Sequence, residues 1–234
     1  MSEVEGRLEE TLRTLVSFDT TSRLPNRPLI DWLEPRLAGL GFRCERQRYP
    51  DDVGVEKVNL LAFTHGPEQV PELALVGHTD CVPYDAGWAE ALRLTRTADR
   101  LYGRGACDTK AFIACALLAA ERTRASVRKP LALIFTADEE VGCLGAKMLL
   151  EARRGAARNA IVGEPTSLRP IRANKGYCLA ERSRSPGRKG TARTPTPAPR
   201  PSSVRRGYSA GSRPTRRGRS AERPIRPSIP RSPR

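Results

Sequence analysis

The sequence predicts a three-layer α/β domain built on a mainly parallel sheet, followed by a disordered basic tail. Three observations carry that reading. Short apolar runs alternate with amphipathic helical patterns across residues 1–181. Polar side chains able to do chemistry stand at the ends of those runs rather than scattered among them. Charge is divided sharply along the chain. The 234 residues carry 41 Lys+Arg and 26 Asp+Glu, a formal +15. Residues 182–234 hold 16 of the cations and one carboxylate, Glu222, which leaves residues 1–181 neutral with 25 charges of each sign. Half of the 20 prolines also fall in 182–234, where Val204, Tyr208, Ile225 and Ile229 are the sizeable apolar groups. So few cannot offset the entropy of ordering the segment.

The elements follow in order. Val4, Leu8, Leu12 and Leu15 recur at helical spacing and predict a first helix, acidic at its start. A second helix begins at Pro28, a residue suited to the first turn. It carries Leu29, Trp32, Leu33, Leu37 and Leu40 and stops at Gly41. Phe42–Tyr49 alternates like a half-exposed edge strand. Four apolar runs read as buried strands: Val58–Phe63, Leu73–Gly77, Leu131–Phe135 and Ala160–Val162. Between them Thr109–Arg122 reads as a helix with Asp108 as its N-cap, and Gly145–Arg153 as another.

Composition excludes several classes of function. A neutral body is not a uniformly basic nucleic-acid-binding domain. No stretch approaches the length of a membrane span, and the acidic N-terminal helix is no signal peptide, so no membrane is expected as a partner. Cys44, Cys81, Cys107, Cys115, Cys143 and Cys178 form no C-x-x-C pair, which argues against a disulfide framework and for thiols in a reducing cytoplasm.

The carboxyl ends of the strands in an open α/β sheet form its ligand crevice. Here they carry His78-Thr79-Asp80, then Asp138-Glu139-Glu140, then Gly163-Glu164-Pro165, with Asp108 opening the helix between. Singly, each has a plain reading: a turn histidine, a helix cap, a solvated Glu pair, a turn. Together they bring one His and six carboxylates to one edge. Carboxylates so close cannot all ionise without a compensating cation, and His with Asp and Glu suits Zn²⁺, Co²⁺ or Mn²⁺. A metal pair needs a bridging carboxylate, terminal ligands, and one further carboxylate left free to take a proton from water. Glu139 and Glu140, pointing different ways, can divide those roles.

These residues lie in three runs: Gly77-His78-Thr79-Asp80-Cys81-Val82-Pro83, Tyr102-Gly103-Arg104-Gly105-Ala106-Cys107-Asp108-Thr109-Lys110, and Thr136-Ala137-Asp138-Glu139-Glu140-Val141-Gly142. The set resembles the co-catalytic zinc deacylases and exopeptidases, the family of acetylornithine deacetylase, succinyl-diaminopimelate desuccinylase, aminoacylase and glutamate carboxypeptidase. Gly163-Glu164-Pro165-Thr166-Ser167-Leu168 and Arg172-Ala173-Asn174-Lys175-Gly176 look most like its acetylornithine deacetylase branch. The resemblance covers nearly all of 1–181 and implies a zinc-exopeptidase-like catalytic domain with two Zn²⁺, for which Co²⁺ can substitute. Asp108 would bridge the metals, His78 and Glu164 would complete one, and Glu140 would bind the other. Asp80 would orient His78, and Glu139 would be general base and acid. The implied reaction is hydrolysis of a small N-acylated amino acid, N-acetyl-L-ornithine, to L-ornithine and acetate in arginine biosynthesis. A desuccinylase or a dipeptidase or carboxypeptidase is the alternative within the family.

The chain departs from the family after Glu181. The family inserts a lid and dimerisation domain with a Gly-His-Ser segment, and later supplies a last histidine to the second metal. This sequence has only His65 and His78, and His65 reads as a surface loop residue. The domain division is therefore expected at 1–181 and 182–234, the first an incomplete catalytic domain without the family's homodimer contacts. Permitted codons for Gly187–Pro195, shifted by one base, encode Lys-Glu-Gly-His-Ser-Ala-Tyr-Pro. The tail accordingly reads as out-of-frame translation, and the chain as a truncated, nearly inactive enzyme. Its cations could also bind RNA or another polyanion, but Tyr208 stands alone as an aromatic, so nucleic acid is not the expected partner.

Overall fold

A computed structural model describes residues 2–173, which fall within one compact unit. Residues 182–234 with their expected disorder, Cys178, the expected change of frame, and Asn174-Lys175-Gly176 lie outside the described residues. The elements are α1 (Glu3–Ser17), α2 (Arg27–Gly39), β1 (Arg43–Pro50), β2 (Glu56–Phe63), β3 (Leu73–His78), β4 (Thr95–Thr97), β5 (Arg100–Tyr102), α3 (Ala111–Thr123), β6 (Leu131–Thr136), α4 (Leu144–Glu151) and β7 (Asn159–Val162). Local chemistry sets their limits. Ser2 and Glu5 cap α1 reciprocally, the Ser2 hydroxyl accepting from the Glu5 N–H and the Glu5 carboxylate from the Ser2 N–H. Gly41, at φ +82°, ends the second helical segment where a side chain would be strained.

The main sheet has the order β1-β2-β6-β3-β7. Strands β6, β3 and β7 are parallel neighbours, while β2 is antiparallel to both β6 and β1. The mainly parallel sheet expected from sequence is thus mixed in its pairings. The short Asp51–Val55 turn between β1 and β2 can join only antiparallel neighbours. Alternation along the strands separates two apolar faces. Val58, Leu60, Ala62, Leu133 and Phe135 pack against α1, α2 and α3. Leu61, Ala74, Ala132 and Ile134 face the other way and meet Leu149 of α4. These are the three layers.

Two further expectations are corrected. Strand β7 is exposed throughout rather than buried, because it borders only β3 and no described helix covers it. Helix α3 starts at Ala111, not Thr109, and Asp108 is not its cap. The backbone of Asp108 and Thr109 is non-helical inside a wide turn, Ala106–Lys110, with a cis Asp108–Thr109 peptide. The Asp108 carboxylate bonds His78 instead of the helix N–H groups. Helix α4 starts close to its expected place, with Gly145 pressed against the end of β6. A Cβ there would overlap the Ala137 carbonyl oxygen and approach Ala137 N to 2.9 Å. Gly145→Ala is therefore expected to cost about 1–3 kcal/mol through overpacking against backbone. Thermal unfolding checks this, and an unchanged midpoint would contradict the close approach.

The five described cysteines are free thiols; Cys81 is buried, and Cys107, Cys115 and Cys143 are exposed. His65 is half-buried with its ring edge-on to Phe63 at 5.6 Å, and so not the surface residue expected. No helix among the described residues is long and apolar enough to cross a membrane.

Candidate metal centre

Three parallel strands end together. His78 closes β3 opposite Thr136 of β6, and Val76 pairs with Val162 of β7. The residues that follow each strand, 79–80, 137–140 and 163–164, therefore emerge at one edge. Asp108 reaches that edge from the turn before α3. His78 Nε2 lies 3.0 Å from Asp108 Oδ1. Donor atoms of His78, Asp108 and Glu140 all lie within 4.8 Å of one another, a spacing that one cation could span. Glu164 is outside this group of three but close enough to interact electrostatically with His78, Asp108, Glu139 and Glu140.

The imidazole is held from behind. Its Nδ1 lies 3.0 Å from the Asp80 carbonyl oxygen and 3.5 Å from the Asp80 carboxylate, which leaves Nε2 facing the carboxylates. Buried Asp80 is fully engaged. Its Oδ1 accepts from the Glu139 N–H at 3.0 Å, and its Oδ2 from the Glu140 N–H at 3.2 Å and the Ser22 hydroxyl at 2.8 Å. One carboxylate thus sets both the histidine and the Glu139–Glu140 backbone. The Glu139 side chain accepts from the Cys143 thiol at 3.4 Å and is not one of the three converging donors.

The electrostatics follow from burial and crowding. Burial and the neighbouring Asp108 raise the Glu140 carboxyl above its ordinary range, and burial with Asp108, Glu139 and Glu140 does the same to Glu164. Burial would also raise Asp80, but bonds from His78, the Glu139 N–H and Ser22 outweigh it and hold Asp80 low. For His78, burial favours the neutral ring, yet Asp80 and Asp108 prevail and lift it to about 9. A group of carboxylates that resists ionisation beside an imidazolium fits a cation in place of the proton.

That competition has a sign. His78 must lose its proton to bind a metal, so zinc affinity is expected to rise with pH until about 9, by about tenfold per pH unit from this group at most. In the metal-free protein the raised value means the reverse for stability. Protonated His78 contributes fully below its ordinary range, and that contribution fades as pH climbs through about 9. Zinc titrations across pH test this; a flat affinity would contradict it.

The structure adds residues that motif reading missed. Asn59 accepts from Ala137 N at 2.9 Å and donates to Gly145 O at 2.8 Å, clamping both ends of the 137–145 turn. Asn26 stands at the N-cap position of α2, but its side chain makes no capping bond and instead bonds both backbone groups of Val58 and the Thr79 hydroxyl. Their signal was polar residues within or beside an apolar run.

Known proteins resemble this arrangement in sequence and in fold. Residues 74–212, more than half of the chain, match the model of peptidase family M20/M25/M40. The chain belongs to that family. An acetylornithine deacetylase of Myxococcus xanthus is 60% identical over 182 residues, covering 77% of this chain and 48% of that protein. One from Pasteurella multocida (strain Pm70) is 40% identical over 186 residues, covering 78% and 47%. The chain thus spans about half the length of the curated relatives it matches. Human carnosine dipeptidase 1 shares the fold, with a TM-score of 0.60 at 20% identity over 69% of this chain and 39% of that one. Within this M20-family chain, the converging donors lie on the segment that the family model matches.

Proposed function

We propose that residues 1–181 are part of the catalytic domain of a zinc-dependent amide hydrolase acting on N-acetyl-L-ornithine, with L-ornithine and acetate as products. His78, Asp108, Glu140 and Glu164 would hold the ions, Asp108 being shared. Zinc is the proposed resident metal and Co²⁺ a substitute, since imidazole with carboxylates suits both. When bound, the metal would supply Lewis acidity that polarises the amide carbonyl and acidifies water. Asp80 keeps the His78 ring aimed at the other donors. The Glu139 carboxylate takes the proton of the attacking water and passes it to the leaving amine. Residues 182–234 would contribute nothing to this chemistry.

Two similarities support this. The convergence of His78, Asp108 and Glu140 supports the reaction class, and the 60% identity to a protein named acetylornithine deacetylase carries the substrate. Zinc titration of the purified chain, followed by assays on N-acetyl-ornithine, N-succinyl-diaminopimelate and a dipeptide, tests both. The expected result is one tight ion, a second weaker one, and slow zinc-dependent release of ornithine ahead of the other products. Failure to bind zinc would overturn the metal-hydrolase reading. Preferential hydrolysis of the succinyl or dipeptide substrate would overturn the substrate alone. Two tight ions with fast turnover would show that no ligand of the second metal is lacking.

A further inference from the structure

Lys57 is one of the largest fully buried side chains among the described residues, and no step of the proposed reaction uses it. Its position follows from the strand that breaks the parallel pattern. Strand β2 runs antiparallel to β6, pairing Leu60 with Phe135. Three residues further along that register, Lys57 of β2 comes opposite Asp138, immediately before Glu139 and Glu140. An antiparallel neighbour therefore brings its beginning to the edge where the parallel strands end.

The ammonium group is fully engaged there. It lies 3.1 Å from Asp138 Oδ1 and donates to the carbonyl oxygens of Ser22 and of Leu24, the latter at 3.0 Å. Asp51 Oδ2 stands farther off at 3.7 Å. Asp138 is itself buried, and its Oδ1 receives no well-aligned hydrogen bond, so the charge of Lys57 is what compensates that oxygen. Its Oδ2 accepts from the Tyr49 hydroxyl at 3.2 Å. The backbone of Asp138 is left-handed, φ +55°, a conformation that needs external support in a non-glycine residue.

Two of the partners of Lys57, Asp138 and Ser22, lead to the metal centre. Asp138 starts the turn that presents Glu139 and Glu140. Ser22, whose carbonyl accepts from Lys57, gives its hydroxyl to Asp80, and Asp80 in turn binds His78 and the N–H groups of Glu139 and Glu140. A buried ion pair is seldom worth more to stability than apolar side chains of the same size, so stability alone gives little reason for a lysine here. Geometry gives one: a single cation ties the two supports of the site to each other.

We infer that Lys57 is a positioning residue of the metal centre, fixing the Glu139–Glu140 turn through Asp138 and the Asp80 carboxylate through Ser22. This rests on the metal-centre reading above. It concerns ligand placement, so metal binding itself is the readout. The variant to use is Lys57→Met together with Asp138→Asn, which removes both buried charges while the amide keeps an acceptor for Tyr49. Folding is followed by thermal unfolding, zinc affinity by competition with a chromogenic chelator, and ligand geometry by the visible absorption of the Co²⁺ form.

The expected result is a folded double variant that binds zinc about 10–100-fold more weakly, the range for losing an outer partner of a metal ligand, with an altered Co²⁺ spectrum. A folded variant with the affinity and spectrum of the unsubstituted protein would overturn the inference. Should the double variant not fold, Tyr49→Phe decides, because it removes only the hydroxyl that Asp138 Oδ2 and the Ala137 carbonyl oxygen share, at the start of the Glu139–Glu140 turn. A shifted Co²⁺ spectrum supports the inference and an unchanged one overturns it. If the unsubstituted chain binds no zinc, the metal-centre reading falls first and takes the inference with it; that outcome is recognisable without any variant.

Discussion

Asp108→Asn is expected to weaken zinc binding by more than about 100-fold, beyond the 10–100-fold typical of an outer partner, while the metal-free protein stays folded. The structure separates the two effects. The Asp108 side chain is 43% exposed, caps no helix, and among the described residues makes one hydrogen bond, to His78 Nε2. Little of the fold depends on its charge. That charge also raises Glu140 and Glu164, so its removal relieves repulsion in the metal-free site. An amide in its place offers only a weak neutral ligand to any cation shared with His78 and Glu140. Calorimetric zinc titration beside thermal unfolding of the metal-free variant measures both. Undiminished zinc affinity would mean that the converging donors are not a metal centre.

The strands were legible because apolar runs such as Leu131–Phe135 admit few other conformations once both faces must be buried. The edge carrying the chemistry followed from their parallel order, since parallel strands deliver whatever follows them to the same side. His78, Asp108 and Glu140 could thus be grouped from sequence. The supports behind them could not. Lys57 and Asn59 belong to β2, and their place at the site depends on β2 being antiparallel, a pairing that no local pattern encodes. Asp108 looked like a helix cap because the same carboxylate can satisfy helix N–H groups or an imidazole. Only the backbone turn at 106–110, with Gly105 at φ +71°, shows which partner it takes.

Strand β7 shows the opposite error. Asn159–Val162 has the apolar composition of a buried strand, and pairs with β3 as such a strand would, yet all four residues are exposed. Composition reports what a segment can bury, and coverage depends on neighbours distant in sequence. Ser22 was invisible for a related reason. It follows α1 in an ordinary polar loop, and its importance comes from Asp80 and Lys57, 58 and 35 residues away.

Glu139→Gln is expected to behave in the reverse sense to Asp108→Asn: turnover falls by about 10²–10⁴, the usual contribution of a general acid–base group, while zinc affinity changes little. Position supports the contrast. The Glu139 N–H is anchored on Asp80 Oδ1, as the Glu140 N–H is on Oδ2, so both carboxylates start from one rigid turn. Yet only Glu140 joins His78 and Asp108 in the converging donor set. Glutamine keeps the shape of glutamate and an oxygen to accept from the Cys143 thiol, but it cannot take a proton. The turn, the other donors and the zinc should therefore remain while the proton's destination is lost. Zinc titration paired with ornithine release reads the two quantities on the same sample. Loss of zinc along with activity would make Glu139 a ligand, and full activity in Glu139→Gln would send the search for the base elsewhere.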